Sequence, residues 1–165
     1  MLGVLNDPLQ LFHLFIEISV ALLGFSGVVA AFGGRNRDFT ELEQTRLLSV
    51  FSSGIPILTV SLAALICFEA DLGVEQTVPI LGVVGVVIGG AFGVVLLRKA
   101  FRFAGDQTTT TNLFDLILAL LGTLVVYLSF FTAIFTGQLW LVVLAFAGHL
   151  LSGMWVFFRL LTRRN

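Results

Sequence analysis

The chain has 165 residues, of which 58% are hydrophobic and only 12% charged, with a formal net charge of −1 at pH 7. At 17.9 kDa and a mean hydropathy of +1.05, it carries too little charge to cover a water-soluble surface and too much Leu, Val and Phe to hide in so small a core. That composition excludes an ordinary soluble domain and makes hydrocarbon the solvent of most side chains.

Five apolar runs follow one another: Leu9 to Phe32, Leu47 to Phe68, Val78 to Leu97, Leu113 to Phe135 and Leu139 to Phe158. Each approaches or exceeds the roughly 20 residues that cross about 30 Å of hydrocarbon as a helix. The runs lack polar alternation, and an odd set of five does not close a bacterial barrel. The predicted class is therefore all-α: one polytopic transmembrane helical bundle over residues 1–165, with no soluble domain attached.

The stretch from Met1 to Phe12, which leads into the first span, has no Lys or Arg. Without a positive n-region the first span is expected to stay as a span rather than be cleaved as a signal. Glu17 lies inside it, and His13 shares its helical face four residues earlier. A carboxylate at this depth is expensive, so Glu17 is expected to face the protein interior, become protonated or find a partner. Gly24 and Gly27 are spaced for tight helix packing; with no soluble strand before them they are not a phosphate loop.

Thr40 and Glu43 resemble a capping box, which starts the second helix in water before Leu47. Pro56 is expected to kink this helix, with Ser52 and Ser53 placed to satisfy the released carbonyls. Cys67 is the lone cysteine, which excludes an internal disulfide or Cys-based cluster and leaves packing as its role. Pro79 fits the first turn of the third helix. Gly82, Gly85, Gly89 and Gly93 then form a nearly continuous stripe, read as a helix–helix interface through which span 3 is expected to meet a second copy or another membrane helix, with packing inside the monomer as the competing reading. The helix continues through Arg98, Lys99 and Arg102, with Gly105 as its stop. Thr108 to Thr111 read as a polar loop without a P-loop pattern, and Asn112 with Asp115 cap the fourth helix. Gly137 and Gln138 make an antiparallel hairpin of the last two spans. Ala145, Gly148 and Ser152 give span 5 a small face to match the glycines of span 3.

Charge checks the count. All nine Lys and Arg residues fall after span 1 (Arg35, Arg37, Arg46), after span 3 (Arg98, Lys99, Arg102) or after span 5 (Arg159, Arg163, Arg164). Basic loops favour the cytoplasm, so five crossings predict the N-terminus outside and the C-terminus inside. The basic residues serve as topology and interface anchors. They lie among acids and lack the stacking aromatics of a nucleic-acid site. Asp7, Glu69, Asp71 and Glu75 fall outside as solvated loop acids.

Depth groups the remaining candidates. Glu17 lies about 12 Å and His149 about 15 Å from the outer ends of their spans at helical rise. Tyr127 and Thr59 occupy a similar layer. Glu17 with His149 is the expected buried acid–base pair, with His13 toward the outside.

The segment from Glu17 to Val29, with its Gly-Phe-Ser-Gly core, followed by Glu43-Gln44-Thr45-Arg46-Leu47-Leu48, resembles a family of small uncharacterised bacterial integral membrane proteins. The likeness covers mainly spans 1 and 2, about a third of the chain. It implies a multi-pass protein of the bacterial inner (plasma) membrane, singles out Glu17, Gly24, Gly27 and Arg46, and carries no established activity.

Two functions compete. The glycine stripe, short loops and lack of a substrate-binding domain point to a membrane-embedded scaffold or interaction subunit. Its partners would be lipids and either a second copy or another membrane protein. The alternative is a small proton-coupled transporter or channel component, handling protons or cations through Glu17 and His149. No catalytic, cofactor or metal motif is recognisable, so neither an enzyme nor a cofactor is expected.

Overall fold

The computed structural model describes residues 7–33, 41–104 and 113–162. They form five α-helices and no strand: α1 Pro8–Gly33, α2 Glu41–Glu69, α3 Val74–Ala104, α4 Leu113–Thr136 and α5 Leu139–Thr162. α1, α2, α3 and α5 are long and apolar enough to cross a membrane, and in α4 the described apolar stretch is Leu121–Thr136. The expected caps at Thr40 and Asn112, the stop at Gly105, the loop from Thr108 to Thr111, and Arg35, Arg37, Arg163 and Arg164 lie outside the described residues.

Local chemistry sets the described ends. Asp7 caps α1: its Oδ1 accepts from the Leu9 N–H at 3.0 Å, ahead of Pro8 in the first turn. α2 closes with Asp71 in the left-handed region (φ 57°). The Asp71 N–H donates to the Phe68 carbonyl and the Leu72 N–H to the Cys67 carbonyl, the reciprocal pair of a Schellman close. Because the chain is already reversed there, α3 restarts at once. The Gly73 carbonyl accepts from the Gln76 and Thr77 amides, so Pro79 sits inside α3 and not in its first turn as expected. Pro79 cannot donate to the Glu75 carbonyl one turn back. A methyl group added at Gly137 would lie 3.8 Å from that same oxygen, which places the α4–α5 turn beside the start of α3. Gly137 itself needs its freedom: at φ 63° its N–H donates to the Ala133 carbonyl, ending α4.

The second interior proline behaves differently from expectation. Ser52 and Ser53 both donate to the Ser49 carbonyl, at 2.8 and 3.0 Å. The oxygen that Pro56 releases belongs to Ser52, so neither hydroxyl reaches it. Both hydroxyls instead satisfy themselves by bonding back into the preceding turn, a habit of serine in helices that tends to bend them.

α2, α3, α4 and α5 form a closed ring, each packing on its two neighbours, with only slight contact across the ring between α3 and α5. α1 stands outside it against α2, and its aromatics reach over to α5. Phe15 meets Phe146 edge-on at 4.7 Å between centroids, and Phe25 meets Phe157 at 6.2 Å. The core runs through Phe12, Ile57, Val60, Val78, Leu81, Phe130, Val142 and Phe146, all fully buried. The outside is as apolar as the inside: Ile66, Phe135 and Leu151 are each about 70% exposed. A water-soluble monomer does not present such a surface; a helical bundle solvated by hydrocarbon does.

Candidate functional site

α1 docks through a face that repeats at three and four residues. Phe12, Phe15, Ser19 and Ser26 are buried on it, with Leu22 partly so. The serines fill this role because they are small and satisfy themselves: Ser19 Oγ donates to the Phe15 carbonyl and Ser26 Oγ to the Leu22 carbonyl, both at 2.7 Å. At about 100° per residue, Glu17 is turned about 200° from Phe15 and from Ser19 alike. It therefore points away from the bundle. Glu17 and His13 are both exposed, and the expected inward orientation of Glu17 is not adopted.

His149 of α5 turns toward α4. Its ring is tilted against Phe130 at 6.4 Å between centroids, in an aromatic run that continues through Phe146 to Phe15 and Phe12. Its Nε2 is buried with no hydrogen-bond partner. The acid–base pair of Glu17 with His149 is thus not formed within the chain: the acid is outside and the imidazole inside. Matching depth along two spans said nothing about azimuth, and the bulky Phe12–Phe15 edge decided which side of α1 turned inward.

The other members of the expected polar layer are used up locally. Thr59 Oγ1 donates to the Ile55 carbonyl at 2.9 Å. Tyr127, half-buried, lays its hydroxyl over the glycines of α3. A Cβ at Gly93 would come within 2.5 Å of that oxygen, and one at Gly89 within 3.5 Å. Further along the stripe, a Cβ at Gly85 would strike the Phe130 ring at 2.5 Å, and one at Gly82 would meet Ile134 and the Phe130 carbonyl. The stripe of Gly82, Gly85, Gly89 and Gly93 is a helix–helix interface, and its partner is α4 of the same chain. The small face of α5 turns to α4 as well. Gly148 approaches Val126 and Ser152 approaches Gly122, so the expected match between spans 3 and 5 is replaced by two contacts on α4.

Gly24 and Gly27 are the exception among the candidates. Both are exposed, and a Cβ built on either meets nothing within 4 Å. The tight packing expected of them is absent inside the chain. They lie on the face of α1 that carries Glu17 and His13.

Sequence reasoning passed over two further buried polar groups, Ser61 Oγ and Thr77 Oγ1, which lack hydrogen-bond partners. Their signal was weak, since a lone hydroxyl in an apolar run ordinarily bonds to its own helix. Among the described residues, no three His, Cys, Asp or Glu side chains converge as a metal site. What the arrangement offers chemically is a carboxylate and an imidazole one turn apart on an outward helix face, and a separate imidazole packed against Phe130 with its Nε2 buried. No family model, no curated protein and no solved structure matches this chain.

Proposed function

We propose that this chain is a multi-pass scaffold or interaction subunit of a bacterial plasma membrane, assembling through the outward face of α1. One observation carries the reading. Glu17 sits nine residues into an apolar helix, about 14 Å along its axis, and points away from its own bundle. A carboxylate left against lipid tails is costly, and such residues in spans face protein or water. A partner helix meets that requirement. The interior gives the bundle little else to do, since its centre is filled by Phe12, Phe130 and Phe146. The charge segregation supports a topology with the N-terminus outside and the C-terminus inside.

The test compares Glu17→Leu with Glu17→Gln in native-like membranes. Scaffolding predicts that the leucine variant folds but loses its assembly, while glutamine, which keeps the hydrogen-bonding capacity, retains it. The topology is checked with a cysteine at Gln107 on a Cys67→Ser background; labelling from outside intact cells contradicts it.

A second reading, proton or cation passage, draws on the unpartnered His149 Nε2. It predicts that Glu17→Gln assembles normally but abolishes proton flux in reconstituted vesicles. A wild-type chain that stays single and conducts protons through Glu17 defeats the scaffold reading.

A further inference from the structure

The exposed face of α1 has the spacing of a coiled-coil seam. Gln10, His13, Glu17, Val20, Gly24 and Gly27 alternate at three and four residues, and all six are exposed. This is the a/d pattern by which two parallel helices interlock knobs into holes. Of the four helices long and apolar enough to cross a membrane, α1 is also the least enclosed by the rest of the chain and α2 the most.

We infer that the occupant of this face is a second copy of the chain, docked through α1 about a two-fold axis along the membrane normal, with each Glu17 paired to His13 of the other copy. This rests on the scaffold reading and names its partner.

The case for a second copy is charge complementarity. Two copies inserted with the same topology present their α1 helices in parallel, so equal residues meet at equal depth. Each Glu17 then lies across from its counterpart, in a hole bounded by the His13 and Val20 layers facing it. Two carboxylates alone at one layer would repel. The two His13 imidazoles one turn away set a ring N–H donor across from each carboxylate, so the face brings to the dimer both the acid and its base, twice. A partner helix of different sequence would have to supply a base that this face already carries. Deeper in the seam, Gly24 and Gly27 have open space in front of them. Small residues there let the backbones approach, which is the main source of helix association in lipid. Polar pairing near one end and close packing beyond it place every residue of the stripe in one interface.

The experiment uses the full chain on a Cys67→Ser background in native-like nanodiscs or isolated membranes. A cysteine at Val20, a seam position, is expected to form an intermolecular disulfide under mild oxidation. A cysteine at Val87, exposed on α3, is not. Charge exchange then tests the pairing. His13→Glu alone sets four carboxylates together and weakens dimerisation about tenfold, in line with the upper range of interhelical polar couplings. Adding Glu17→His restores the pair with its polarity reversed and recovers dimerisation to within about threefold. A dimer that crosslinks at Val87 and not at Val20, or a double exchange no better than the single one, overturns the inference and leaves the scaffold reading standing. A wild-type chain that is monomeric at high protein density also overturns it. If that monomer carries a Glu17-dependent proton flux, the scaffold reading falls too.

Discussion

Two faces of this molecule carry glycines at helix-packing intervals, and they do opposite things. On α3, Gly82, Gly85 and Gly93 are pressed by Phe130, Ile134 and the Tyr127 hydroxyl of α4. On α1, Gly24 and Gly27 look onto empty space beside an exposed carboxylate. The motif is the same in both; the difference lies in what the neighbouring residues cost when left outside. The α3 stripe is flanked by Val and Ile, which are at home in either lipid or protein. Only the α1 face holds Glu17 and His13, which are not. A small-residue stripe therefore says that backbones approach, and the company it keeps says whether the partner is internal.

The sharpest way to break this comparison is to place a large side chain on each face. Gly85→Leu drives a side chain into the Phe130 ring and is expected to cost about 3 kcal/mol or more by overpacking, seen as a large drop in apparent Tm in detergent. Gly24→Leu meets nothing in its own chain, so its detergent Tm should stay close to wild type while oligomers in membranes decline. Equal losses of Tm would erase the distinction between the two faces. A finer probe is Gly93→Ala, whose methyl would crowd the Tyr127 hydroxyl; a penalty of about 1 kcal/mol is expected. Tyr127→Phe in the same chain should return most of it, and a double-mutant cycle without coupling would show that the contact is not made. The smallest effect concerns the buried imidazole. His149→Leu removes an unsatisfied nitrogen from an apolar pocket, which is expected to change stability by less than about 1 kcal/mol or to raise it. A strong loss would reveal a hidden partner for Nε2.

The helices were legible because the length of an apolar run is a one-dimensional signal. The turn at Gly137 and Gln138 between α4 and α5 came from the same source. Facing was not legible, and the reason is physical. In water, the buried side of a helix is its apolar side. In lipid that contrast vanishes, and Val20 and Phe25 outside α1 are as apolar as Phe12 and Phe15 inside it. Glu17 was therefore the only directional clue on α1, and it was read on the assumption that an in-membrane carboxylate belongs to its own bundle. The start of α3 was misjudged for a related reason. Its true boundary depends on Asp71 adopting a left-handed conformation, which local apolarity does not report.

The placement of α1 outside the ring has a consequence for biogenesis. Its buried edge is built partly from α5: Phe15 rests on Phe146 and Phe25 on Phe157, residues separated by nearly the whole chain. A ribosome delivers α1 well before α5, at about 5–20 residues per second. For the several seconds between them, α1 has only α2 of its two supports. Glu17 spends that interval in the nascent membrane with its final surroundings unbuilt, so α1 is the segment whose insertion most depends on the translocon or an insertase holding it. Docking of α1 can therefore begin on α2 but is completed only once α5 has been inserted and Phe146 and Phe157 are in place.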